Sequence, residues 1–253
     1  MPPPLVIANW KMHTTLEEAL TLVQGMVPGL GGLTGIEIVL CPPFPWLTEL
    51  SRLLVGTGLA LGAQNMHFDD RGGFTGEVSP LMLKGLCRYV LLGHAERRVH
   101  FHETDWLINQ KLLATLRHGL TPVLCVGEAA DQLEHGETAA VVSGQLEAAL
   151  KEVVSGSRIV VAYDPVWGTM GMASPPTPRD INEICGYLRQ IAGDTINGEV
   201  RVLYGGPVTS RNIEEVAAQP EVDGVLVGSA SLRAEDFVAI GRAVARIERE
   251  RGP

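Results

Sequence analysis

Three side chains of complementary chemistry stand in short, distinctive settings: a lysine in ANWKM (8–12), a histidine in GHAERR (93–98) and an aspartate in AYDPVW (162–167). Lys11 sits among Trp10 and Met12, where an unpaired ammonium is costly to desolvate, so an anionic ligand or Glu96 is its expected partner. The competing reading is a lysine that snorkels to the surface. His94 precedes a helix-like start whose N-terminal dipole disfavours an imidazolium. A neutral ring there can donate to a carbonyl oxygen, although a histidine that only ties down a turn would look similar. Asp164 before Pro165 is, taken alone, a turn dipeptide. It becomes a candidate base because it ends an apolar run, as the segments before Lys11 and His94 do. Two further runs end in glycines, YGG (204–206) and VGS (227–229), the latter ahead of a short helix predicted at ASL (230–232). Backbone N–H groups that a ligand can approach closely at such places suit a phosphate, whereas lone glycine pairs also serve plain turns. A base, a neutral donor, a lysine and a phosphate cradle together suit proton abstraction α to a carbonyl, with electrostatic stabilisation of the enediolate. Neither a metal nor a redox cofactor is required for that chemistry.

The elements that must position these groups recur along the chain. LVIAN (5–9), IEIVLC (36–41), ALGAQN (60–65), YVLLGH (89–94), TPVLCVG (121–127), IVVAYD (159–164), RVLYGG (201–206) and GVLVGS (224–229) are candidate strands. Each is nearly continuous in apolar residues, as parallel strands covered on both faces are. Helical spacing fills the intervals, as in Ile181, Ile184, Cys185 and Leu188, in Val142, Leu146, Ala149 and Val153, and in Phe237, Ile240, Val244 and Ile247. Thr14 with Glu17 reads as a capping box before the first helix. Alternating strand and helix with right-handed crossovers predicts an α/β fold, one (β/α)8 barrel over residues 1–253. An open doubly wound sheet is the rival, weakened by the absence of a G-x-G-x-x-G after the first run. In a barrel the site gathers at the C-terminal ends of the strands, here Asn9 and Lys11, Gln64 and Asn65, His94 and Glu96, Cys125 and Glu128, Asp164, Gly205 and Gly206, Gly228 and Ser229.

Composition narrows the class. A chain of 253 residues, 45% apolar, can bury a full core. Its net charge of -9 argues against a nucleic-acid or anionic-membrane surface. Cys41, Cys87, Cys125 and Cys185 are too scattered for a zinc module, which suits reduced thiols in a cytoplasmic protein. His100 and His102 could share one face of a strand, but no third metal ligand accompanies them. MPPPLVIANW has no basic leader and only a short apolar run, so neither export nor membrane insertion is expected. QNMHFDDRGGFTGEVSP (64–80) is a long connection with Phe74 between glycines, a loop with a defined job such as contact with a second subunit.

ANWKM, CPPFP, GAQN, FTGEVSP, GHAERR, FHETD, GLTPVLCVGE, AYDPVW, LYGG and DGVLVGSASL, in this order, give the chain a close resemblance to the triosephosphate isomerase family. The resemblance spans essentially the whole sequence. It implies a cytoplasmic, cofactor-free enzyme of glycolysis and gluconeogenesis that interconverts dihydroxyacetone phosphate and D-glyceraldehyde 3-phosphate. It further implies that Asn9 and Lys11 contact the substrate, that His94 is the neutral electrophile with Glu96 beside it, and that Gly171, Gly206, Gly228 and Ser229 serve the phosphate. A homodimer in which Thr75 reaches the neighbouring active site is implied as well.

Departures from the family pattern cluster. Asp164 falls where the family has a glutamate base, and its carboxylate ends about 1.3 Å short, a misplacement that can lower the rate about 100-fold. The lid GTMGMASPP replaces a shorter one shaped like AIGTGK, without its lysine. Pro207 follows YGG where a serine is usual, removing a hydroxyl and an N–H, and Ser229 replaces a glycine. Losing one hydrogen bond to an anion removes about 1.5–3 kcal/mol. The expectation is therefore a weakened triosephosphate isomerase. Its alternatives are an isomerase of another small sugar phosphate, such as a four-carbon ketose phosphate, and an inactive barrel kept for binding.

Overall fold

Strands apolar at nearly every position need cover on both faces, and a barrel ringed by helices supplies it. In this computed structural model, which describes residues 2–167 and 176–252, β1 (Leu5–Asn9), β2 (Glu37–Cys41), β3 (Ala60–Ala63), β4 (Tyr89–Leu92), β5 (Thr121–Val126), β6 (Ile159–Tyr163), β7 (Val200–Tyr204) and β8 (Gly224–Val227) close into a parallel barrel. Leu5 pairs with Glu37 on one side and with Gly224 on the other, which closes the ring and excludes the open sheet. Several strands stop short of the apolar runs that announce them. Gln64, Asn65 and His94 therefore lie just past a strand end, at the mouth where a site is built.

Alternate residues of each run have different neighbours. Leu5, Ile7, Val39, Cys41, Leu91, Val123, Val160 and Leu203 fill the barrel, whereas Val6, Ala8, Leu40, Val90, Leu124 and Val161 pack against helices. Arg201 breaks the apolar rule. It is 3% exposed, and its guanidinium donates to Tyr89 Oη at 2.8 Å and to Glu37 Oε2 at 2.9 Å. Burial pushes the Glu37 carboxyl up, but its hydrogen bonds with Tyr89 and Arg201 prevail and hold it below its ordinary value. A charge inside the barrel is tolerable only with such partners.

The helices follow the predicted apolar faces. Ile181, Cys185 and Leu188 are buried in Pro178–Ile196, and Phe237, Ile240 and Val244 in Ala234–Arg251. Val142, Leu146 and Ala149 are buried in Thr138–Leu150, which ends before Val153. The first capping box is shifted by one residue from the sequence expectation. Thr15, not Thr14, caps Leu16–Leu30 and pairs with Glu18, because Thr14 has φ +82°, whereas Thr15 has the extended backbone an N-cap needs. His100 and His102 do not share a strand: His100 ends the helix Ala95–His100, and no cluster of metal-binding type occurs among the described residues. No helix among them is long and apolar enough to cross a membrane.

Candidate active site

A cavity of about 370 Å³ opens where β1, β4, β7 and β8 end, lined at one side by Asn9, Lys11, His94 and Glu96 and at the other by Gly206, Pro207, Gly228 and Ser229. Lys11 is aimed by its own loop. Its φ of +55° is a left-handed conformation, held by Asn9 Oδ1, which accepts from Lys11 N at 3.1 Å. Gln64 braces the same turn by donating Nε2 to Lys11 O at 2.8 Å and to Cys41 O at 2.9 Å. Trp10 is wholly buried, but Met12 is 95% exposed, so the lysine is wedged on one side only. The ammonium reaches Glu96 Oε1 at 2.6 Å. Burial raises the Glu96 carboxyl, yet the hydrogen bond and charge of Lys11 outweigh it and leave the group below its ordinary value. Lys11 thus faces the cavity already paired with a carboxylate, and an anionic ligand must compete with that carboxylate or share the cation with it.

His94 caps the helix Ala95–His100 with its ring. Nδ1 accepts from Glu96 N at 3.2 Å, so Nε2 is the nitrogen left to donate. Arg98 holds the preceding turn by donating Nε to Gly93 O at 2.9 Å, while pairing with Asp105 at 2.6 Å.

Asp164 lies across from the imidazole and is 2% exposed. Its Oδ2 is 3.5 Å from His94 Nε2 and accepts from Ala95 N at 3.0 Å, whereas the buried Oδ1 has no hydrogen-bond partner among the described residues. The carboxylate therefore rests on the start of the histidine's helix, with one oxygen uncommitted. Next to it, Glu128 Oε1 accepts from Tyr163 Oη at 2.9 Å and from Trp167 Nε1 at 2.8 Å, anchoring the chain where residues 168–175 begin.

The predicted residues divide. Asn9, Lys11, His94, Glu96, Gly206, Gly228 and Ser229 meet at the cavity, and Asp164 borders His94. Gln64 supports the mouth without lining it. Asn65 turns away to accept from Lys111 Nζ at 2.8 Å, Cys125 is buried inside the barrel and Glu128 supports Trp167. Gly171 lies outside the described residues, and Thr75 is exposed on the 64–80 loop. His13, Thr209 and Leu232 also line the cavity and were missed by the sequence reading. Only His13, two residues past Lys11, carried a usable signal.

A lysine, an imidazole donating from Nε2 and a buried carboxylate, gathered at the C-terminal mouth of a (β/α)8 barrel, define an enzyme equipped for proton transfer beside a carbonyl. Residues 4–244 match the family model described as triosephosphate isomerase. Over 248 residues the chain is 45% identical to the triosephosphate isomerase of Dehalococcoides mccartyi, covering 96% of this chain and 97% of that one. Identity to the Carboxydothermus hydrogenoformans enzyme is 44%, over 95% and 98% of the two chains. The crystal structure of triosephosphate isomerase from Bartonella henselae superposes with a TM-score of 0.86 at 33% identity, covering 95% of this chain and 98% of that one. The chain belongs to the triosephosphate isomerase family.

Proposed function

We propose that the chain interconverts dihydroxyacetone phosphate and D-glyceraldehyde 3-phosphate, with Asp164 as the base. Its carboxylate takes a proton from the carbon next to the carbonyl, and the electron pair moves into the carbonyl to form an enediolate. The oxygen charge is met by His94 Nε2–H and by the Lys11 ammonium; the hydroxyl proton then passes to the former carbonyl oxygen, and return of the carbon-derived proton from Asp164 to the neighbouring carbon completes the exchange. Asn9 orients Lys11, Glu96 holds its charge in reserve, and Gly206, Gly228, Ser229 and Gly171 serve the phosphate. The observation that carries this assignment is the 3.5 Å separation of Asp164 Oδ2 and His94 Nε2, a base beside a donor with Lys11 in the same mouth. A coupled assay with either triose phosphate tests it. Turnover well above that of a His94→Ala variant is expected, and equal rates would overturn the assignment.

Pro207 and Ser229 at the phosphate end favour one second reading, a preference for a different sugar phosphate such as a four-carbon ketose phosphate. Comparing kcat/KM over a small panel decides between them, and equal or better use of the triose rejects the second. A cytoplasmic homodimer completes the proposal. Thr75 is exposed on the 64–80 loop, Phe74 beside it is 45% exposed and Met82 is 61% exposed, an apolar surface suited to a second copy. Light scattering over a concentration series should give twice the chain mass, and a monomer throughout would count against it.

A further inference from the structure

Side-chain donors are scarce at the phosphate end of the cavity, where Thr209 and Ser229 carry the hydroxyls. Pro207 has no N–H. Gly205 gives its N–H to Tyr163 O at 2.7 Å, and Thr209 gives its own to Asn212 Oδ1 at 2.8 Å. The Thr209 hydroxyl is also occupied, lying 3.2 Å from Asn212 Oδ1 and accepting from Arg211 N at 3.3 Å. Ser229 differs, since it lines the cavity, is exposed, and its hydroxyl bonds to no described residue. Its backbone is nevertheless fixed. The N–H and hydroxyl of the fully buried Ser231 both donate to Gly228 O, at 2.8 Å and 2.6 Å. The turn also lies beside the cation, because a Cβ placed on Gly228 would stand 3.6 Å from Lys11 Cε and 4.0 Å from Nζ.

We infer that the Ser229 hydroxyl is a phosphate ligand that supplies the hydrogen bond Pro207 cannot make, so that the turn after β8 sets the affinity of the phosphate end. A free hydroxyl on a fixed backbone next to an ammonium is preorganised to donate to an anionic oxygen, and donation to a charged acceptor is among the stronger hydrogen bonds. Its loss corresponds to roughly a 10- to 100-fold change in affinity. The inference rests on the phosphate-bearing substrate proposed above, and the test separates the two.

Steady-state kinetics with the triose phosphates, and inhibition by inorganic phosphate, are measured for the native enzyme and for Ser229→Ala, Ser229→Gly, Pro207→Ser and the double variant Pro207→Ser/Ser229→Gly. Both Ser229 variants should raise KM and the phosphate inhibition constant by at least roughly 10-fold with kcat little changed. Removing the hydroxyl should matter less when Pro207→Ser restores a donor, a non-additivity that a merely structural role would not produce. An unchanged KM, additive effects, or a gain in kcat/KM on shortening Ser229 would overturn the inference, the last by showing that the side chain obstructs. If the native enzyme turns over no triose, direct titration with inorganic phosphate still reads the hydroxyl. Weaker binding by Ser229→Ala then supports it, and equal binding or none by the native protein overturns it.

Discussion

The two sides of the cavity are built differently. On the Lys11 side every working group is held by a side-chain hydrogen bond: Asn9 to the Lys11 backbone, Lys11 to Glu96, and His94 Nδ1 to the Glu96 N–H. On the phosphate side, position comes from the path of the backbone through Gly205, Gly206 and Gly228, and the one side chain aimed at the ligand, Ser229, is held by no hydrogen bond of its own to a described residue. A side-chain network fixes residue identity, since replacing one member strands its partner. A backbone cradle fixes only conformation and tolerates exchange of what it carries. The departures from the family pattern at Pro207 and Ser229 lie on that second side.

The largest test strikes the first side. Lys11→Met removes the ammonium and leaves the half-buried Glu96 carboxylate without its cation. A loss of about 100- to 1,000-fold in kcat/KM is expected in the coupled assay, with an unchanged circular dichroism spectrum. A loss below about tenfold would mean that the two sides do not differ in this way.

Asp164 stands between the two regimes, and lengthening it comes next in size. Its backbone has no room to shift. Asp164 N donates to Val126 O at 2.8 Å, its carbonyl presses on Gly127 so closely that a Cβ there would collide, and a Cβ on Gly205 would meet the Asp164 Cβ at 3.3 Å. Reach must therefore come from the side chain, and Asp164→Glu should raise kcat about 10- to 100-fold. A fall in kcat would show that the site is shaped around the shorter carboxylate.

How much of this was legible in the sequence follows the same division. The strands could be read because continuous apolar runs leave little else to be, and Lys11, His94 and Glu96 because they follow such runs directly. Thr209 could not, since it sits further into a loop that no period governs, nor could Leu232, because the one-turn helix Ser229–Leu232 is too short for spacing to reveal which residue faces the cavity. The hydrogen-bond partner of Asn65, Lys111, lies on the distant helix Asp105–Arg117, so nothing local foretold that Asn65 would leave the mouth. Arg201 was hidden by its setting in an apolar run, because its partners Glu37 and Tyr89 come from other strands.

The backbone cradle can be tested at Gly206, where a Cβ would collide with the Tyr204 hydroxyl. Tyr204 is 1% exposed and cannot swing freely, so Gly206→Ala should displace the turn. KM should rise roughly tenfold while kcat changes less, the reverse of the Lys11 pattern. Equal effects on both constants would merge the two sides into one unit.

The smallest effect concerns what pins the loop carrying Lys11 at its far end. Thr14 and Thr15 are each followed three residues later by a glutamate, so sequence alone leaves their register tied. Backbone conformation breaks the tie. Thr15 Oγ1 accepts from Glu18 N while Thr15 N donates to Glu18 Oε2 at 2.7 Å, and Thr14, at φ +82°, has a buried hydroxyl with no partner among the described residues. Thr15→Ala should destabilise by about 1 kcal/mol, a fall of roughly 2–4 °C in melting temperature for a chain of this size. Thr14→Gly should be neutral or stabilising by up to about 1 kcal/mol, because glycine occupies that conformation without a Cβ clash and no hydrogen bond is lost. If Thr14→Gly instead proves the more damaging, the hydroxyl at 14 is holding the catalytic loop, and the side-chain network on the Lys11 side extends further than its visible hydrogen bonds.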